Sequence, residues 1–219
     1  MASLPTLLAF QFNGRSALTR VLEQSEYRSL AQAVASLTAF AHPDTVAQTA
    51  GRNVFRSVRR RQQRDVGTFA EIVGCEGRVM IDDNRSPAVA FEWAHGIRER
   101  PDVQANHVWS RSQEVAAYTS LANLCLTPAF VAKLTDTDAT ICTLLRFRAY
   151  DLFGYWPDDS EAIKPPDYDR LTWADPLPAV PNLEEALRGA MRTKPKDRVV
   201  VSARTLGWLF SGFQPDATL

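Results

Sequence analysis

Through the first fifty residues the apolar positions keep helical spacing. Leu18, Val21 and Leu22 share one helical face, and Leu30, Val34 and Leu37 share another. Asn13-Gly14 is a turn signal ahead of the first helix. His42-Pro43-Asp44 interrupts the second, with Asp44 placed to cap a third. From residue 66 the pattern turns β-like. Phe69, Ile72 and Val73 lead through Gly74 to Val79, Met80 and Ile81. Asp82-Asp83-Asn84 with Pro87 then reads as a turn, and Ala88 to Trp93 as a returning strand. A short alternating run around His107 and a second run after Asn123 predict two more strands, followed by a helix opened by Thr127 and Pro128. Ala139 to Phe153 predicts a long helix with Leu144, Leu145, Phe147 and Leu152 inward.

The last third reads differently. Residues 155–181 hold six prolines, which argues against regular structure. Tyr168, Leu171 and Trp173 are its expected anchors as it wraps the rest. A helix starting at Asn182 or Pro181 should run through Arg192. Val199-Val200-Val201 reads as a strand and Leu206 to Phe210 as a short apolar element. The expected organisation is a helical region over 1–65, a hairpin with a core over 66–154 and an irregular region over 155–219, forming one compact α+β unit.

Charge alters this picture at one place. Residues 51–65 carry Arg52, Arg56, Arg59, Arg60, Arg61 and Arg64 with no acid before Asp65. Read as a helix, Arg52, Arg56, Arg59 and Arg60 form one face and Val54, Phe55 and Val58 the other. Guanidinium forks suit phosphate oxygens, which makes this a candidate nucleic-acid contact. The plainer reading is a solvated face balanced by acids nearer the C-terminus. Over the whole chain 25 basic and 25 acidic residues cancel, so any nucleic-acid affinity must come from such local patches.

Cys75, Cys125 and Cys142 are odd in number and form no CxxC pair, which argues against a zinc knuckle or a disulfide framework. Buried thiols in a reducing cytoplasm are the simplest expectation. The N-terminal MASLPTLLAFQFNG has no basic residue ahead of its apolar run and reads as an element of the fold, not a signal peptide. No apolar stretch reaches eighteen residues, so no membrane partner is expected. No G-x-S-x-G elbow, P-loop or H-E-x-x-H occurs, and Phe91-Glu92-Trp93 lacks the lysine of an E-x-K nuclease motif.

The chemistry concentrates in VQANHVWSRSQEVAAYTSLANLCLTPAFVAKLTD, residues 103–136. Strand, loop, strand, helix, with His107 on the first strand and Asn123 opening the second, resembles the ββα-metal site of the HNH endonuclease family. The likeness spans about a sixth of the chain. It implies that His107 is the general base on water and Asn123 the residue that pins the loop. It implies one divalent ion, magnesium or manganese, at the scissile phosphate. Asn106 stands where that family often has an aspartate ligand, and Asp136 and Asp138 are the nearest carboxylates, at the end of the following helix. Asp82, Asp83, Glu92 and His95 are further candidates from a neighbouring hairpin. Arg111 in the loop and Lys133 on the helix join Arg52, Arg56, Arg59 and Arg60 as candidate phosphate contacts.

Each residue also has a plainer role: His107 as a packed strand histidine, Asn123 as a turn residue, Trp93, Trp109 and Trp156 as core. The expected function is metal-dependent hydrolysis of DNA phosphodiester bonds, with duplex DNA and a second copy of the chain as expected partners. The alternative is a catalytically inactive descendant that binds nucleic acid or protein. A plain interaction protein, wrapping a partner with its Pro/Trp-rich end, is the third reading.

Overall fold

A computed structural model describes residues 5–60, 65–73, 75–97 and 102–211. It is a mixed α+β structure with two small sheets. Helices α1 (Gly14–Glu23) and α2 (Leu30–Leu37) are capped by Asn13 and Ser29, whose side chains accept from Ser16 N and Gln32 N. A two-residue strand β1 (Ala39–Phe40) precedes the single-turn helix α3 (Pro43–Ala47). The ring of His42, not Asp44, caps α3; Asp44 lies in its first turn.

The arginine-rich segment is the largest departure from expectation. Ser57–Arg59 is a strand, β2, and no helix spans Arg52 to Arg60. Val54, Phe55, Ser57 and Val58 are all buried, a near-continuous run that suits a strand covered on both faces better than a one-sided helix. The arginines matched a helical period only by coincidence of spacing. Residues 61–64 lie outside the described residues, so nothing follows for Arg61 and Arg64.

Strands β3 (Phe69–Glu71) and β4 (Arg78–Asp82) form an antiparallel hairpin. Strand β2 pairs parallel to β4, placing Arg59 opposite Asp82. After Asn84, which is left-handed at φ 82°, the expected returning strand is instead helix α4 (Arg85–His95). Every residue from Val89 to Ala94 is buried, and such a run carries no periodicity to separate a strand from a buried helix. Pro87 is tolerated in the first turn and Gly96 ends the helix in the left-handed region.

The second sheet has the order β1-β6-β5 and is antiparallel. Strands β5 (Val103–His107) and β6 (Leu124–Pro128) pair from Val103↔Pro128 to His107↔Leu124. The loop between them contains the short helix α5 (Val115–Tyr118). After β6 come two single-turn helices, α6 (Ala129–Ala132) and α7 (Leu134–Thr137), and then α8 (Ala139–Phe153) with Asp138 as its cap. Residues 155–181 contain one 3-10 turn, Tyr168–Arg170, and Trp173 packs beside Phe40. Helix α9 (Leu183–Thr193) starts at the Asn182 cap. The three valines expected as a strand lie in helix α10 (Arg198–Leu206), capped by Asp197. Val199 and Val200 are buried there while Val201 faces out, so packing overrides the β preference of branched residues.

Strand β6 joins the two main clusters of the core. Leu124 packs with α4, α9 and α10 residues such as Phe91, Leu187 and Val200. Cys125, pointing the opposite way, packs with Leu22, Val34, Trp109, Ile141 and Leu145 from α1, α2, the loop and α8. Among the described residues no helix is long and apolar enough to cross a membrane.

Candidate functional site

Asn123 is fully buried immediately before β6 and uses its whole amide. Its Oδ1 accepts from Trp109 N at 2.8 Å. Its Nδ2 donates to Trp109 O at 3.2 Å and to Ala117 O at 3.1 Å. Both ends of the loop between β5 and β6 are thereby tied to one side chain. Asparagine suits this position because it offers an acceptor and two donors on one short stem.

His107 ends β5, half-buried. Its ring stacks on Tyr118 with centroids 5.4 Å apart and planes 17° apart. Nε2 lies 2.9 Å from the Tyr118 carbonyl oxygen. A carbonyl only accepts, so Nε2 carries the proton of the neutral ring and Nδ1 holds the lone pair. Burial pushes the pKa of His107 below its ordinary 6.5. The Tyr118 carbonyl and Asp136 act upward on it and Arg59 downward, and burial prevails. The result is a neutral imidazole at pH 7 held in one orientation.

Arg59 is also at this end of the molecule. Its backbone N donates to Ser112 O at 2.8 Å, fastening the end of β2 to the loop. Lys133 and Asp136 are exposed on the turns after β6. Sequence spacing grouped Arg59 with Arg52 and Arg56, and the fold divides them. Arg52 and Arg56 line a separate 140 Å³ recess with Trp208 and Leu209. Arg52 Nε reaches Thr49 O at 3.4 Å and an Arg56 guanidinium nitrogen donates to Glu76 O. Arg60 is exposed and follows β2. Arg111 pairs with Glu114 at 3.0 Å and with Asp158, so its charge is locally balanced.

Asn106 points away from His107, as neighbouring strand residues must. Its Nδ2 donates to Thr127 Oγ1 at 2.7 Å and Gln104 O at 3.0 Å. The resemblance implies a divalent ion. Among the described residues no group of three or more His, Cys, Asp and Glu side chains is placed to hold a metal ion. Asp136 is the carboxylate that acts on His107, and one carboxylate does not fit an ion held by the protein alone.

Sequence reasoning missed Tyr118, whose ring and carbonyl both hold His107. Its alternation with Ala116 and Ala117 in a short polar loop carried no signal for that role. His95 repeats the burial effect elsewhere: its Nδ1 donates to Phe91 O at 2.8 Å, and burial lowers its pKa from 6.5. In both histidines the folded state takes up a proton less readily than the unfolded chain. Their contribution to stability is full above about pH 6.5 and is lost as pH falls through the lowered folded values. The urea midpoint should therefore hold steady from about pH 8 to 7 and decline below about 6.5. A His95→Gln, His107→Gln double variant should flatten that decline, and an equal decline in the variant would assign it to other groups.

No protein-family model matches this chain, and neither a curated protein nor a solved structure is similar to it.

Proposed function

We propose that the chain is an endonuclease of the ββα type acting on DNA phosphodiester bonds, with His107 as general base. The observation that carries this is the pair of His107 and Asn123. Asn123 closes the loop between two antiparallel strands, and a neutral imidazole with a carbonyl-bound Nε2 sits at the strand end beside it. Orientation by a backbone carbonyl, with the lone pair left on Nδ1 of a ring that is neutral at pH 7, suits a general base. Nδ1 takes a proton from water as the water oxygen attacks phosphorus; the P–O bond breaks with its electron pair on the leaving oxygen, which takes a proton from solvent. Arg59, within electrostatic reach of His107, offsets charge on the phosphate. Asn123 holds the geometry and has no contact with the reacting atoms.

The test is nicking of supercoiled plasmid by purified protein with magnesium, manganese or EDTA. Magnesium at phosphates commonly uses one or two carboxylates with substrate oxygens, so the metal arms belong in the assay. Nicking by the folded protein is the expected result, and the EDTA arm separates a base acting alone from one that shares an ion with the substrate. Intact plasmid under every condition, from folded protein, would contradict the proposal.

The donor set favours one second reading, a binding module on the same frame without catalysis. Both readings expect Arg59 and Arg60 to meet phosphate. Arg59→Ala with Arg60→Ala should weaken duplex binding and lower the slope of log affinity against log salt by about one per lost contact. Arg111→Ala, whose charge is already balanced, should alter the slope less. An unchanged slope in the Arg59, Arg60 variant would remove that strand end from the interface.

A further inference from the structure

Tyr118, the last residue of α5, links the two sheets. On one side its ring stacks on His107 and its carbonyl accepts from His107 Nε2. On the other side its hydroxyl donates to Asp82 Oδ2 at 3.0 Å and accepts from Asn84 N at 2.8 Å. Tyr118 and Asp82 are both fully buried. The Asp82 carboxylate is itself held: Oδ2 also accepts from Ser86 N at 2.7 Å, and Oδ1 lies 3.2 Å from the Arg198 guanidinium. Arg198 in turn pairs with Asp83.

The neighbouring residue is fastened to the same sheet's approach. Thr119 Oγ1 donates to Phe55 O and accepts from Phe55 N, both at 2.9 Å, and Val54 N donates to Thr119 O at 3.2 Å. The loop that covers His107 is thus docked on the β2-β4-β3 sheet through residues 118 and 119. A purely apolar packing role would need no phenol, since a buried hydroxyl is costly unless both its bonds are made.

We propose that Tyr118 is a positioning residue for His107, and that Asp82 in the other sheet holds Tyr118 in place through its hydroxyl. The nuclease role of His107 rests on the function proposed above; the positioning of its ring does not. Asp136 and Arg59 are the charged groups that also act on that imidazole. Arg59 stands opposite Asp82 across β2 and β4, and both groups remain in every variant.

The experiment reads the ring directly, by ¹⁵N chemical shifts of the His107 imidazole at a pH where it is neutral. Wild type should show the tautomer with hydrogen on Nε2. Tyr118→Phe keeps the stack and the carbonyl but loses the link to Asp82, and its spectrum should shift toward a mixture of tautomers. Asp82→Asn, which does not touch His107, should shift it in the same direction by less. Tyr118→Leu should shift it most, and if that variant does not fold, the other two decide. Wild-type shifts in both Tyr118→Phe and Asp82→Asn would overturn the proposal. If wild-type protein nicks DNA, Tyr118→Phe should lower kcat about tenfold or more with KM little changed, the usual scale for loss of an orienting partner. Tautomers that shift in the variants, beside a wild type that cuts nothing, would sink the nuclease reading and leave the positioning intact.

Discussion

Asn123→Ala is expected to lower the stability of the protein by about 3 kcal/mol, the largest effect of any single polar substitution near the site. The side chain is fully buried and makes three hydrogen bonds, to Trp109 N, Trp109 O and Ala117 O. Alanine would leave the buried Trp109 N–H without its partner, at roughly 1–3 kcal/mol if water does not reach it, and would remove one bond from each of the Trp109 and Ala117 carbonyls, which keep Arg111 N and Ser120 N. For a chain of this size the melting temperature should fall by roughly 6–12 °C. Asn123→Asp should be no better. One oxygen would still accept from Trp109 N, while the other would face two carbonyl oxygens with nothing to donate. Calorimetry or a thermal melt followed by circular dichroism decides it. A loss below about 1 kcal/mol would mean that the loop is held mainly by its other contacts, such as those of Thr119.

That substitution also shows what could be read from the chain alone. The two strands around His107 and Asn123, the turn at Asn13-Gly14 and the helices at Ala139–Phe153 and Leu183–Thr193 were legible, because each rests on local pattern and turn or capping chemistry. The helix at Arg85–His95 was not, because a run of residues buried all round has no period. The strand at Ser57–Arg59 was hidden by arginines whose spacing imitates a helix face. Val199-Val200-Val201 was misread because branched residues favour strands until the Asp197 cap and buried packing decide otherwise.

The candidate site divides in the same way. His107 and Asn123 could be found because a family pattern fixes their spacing. Tyr118 could not, and Asp82, a candidate in its own right, could not be joined to it, since the two are 36 residues apart and meet only when the two sheets dock. The same docking separates Arg59 from Arg52 and Arg56, which spacing had placed on one surface. Asn106 was assigned beside His107 by adjacency, whereas strand geometry turns it to Thr127.

The second large effect concerns His107, and it bears on catalysis instead of stability. A general base contributes about 10²–10⁴ in rate, so His107→Ala should reduce DNA cleavage by that factor. The ring is half-buried and gives up one hydrogen bond, to the Tyr118 carbonyl, so folding should survive. Affinity for duplex DNA should change little, because a neutral imidazole supplies no phosphate charge and Arg59 remains. Alanine at 107 also removes the stack on Tyr118, so the melt of the same preparation must be recorded beside the rate.

The measurement that bears most directly on the account is therefore paired. The cleavage rate of plasmid and the dissociation constant for an uncut duplex are read on one preparation each of wild type and His107→Ala. The account predicts cleavage lost by at least about a hundredfold with binding nearly unchanged. Cleavage that survives the substitution, or cleavage and binding that fall together, would contradict it.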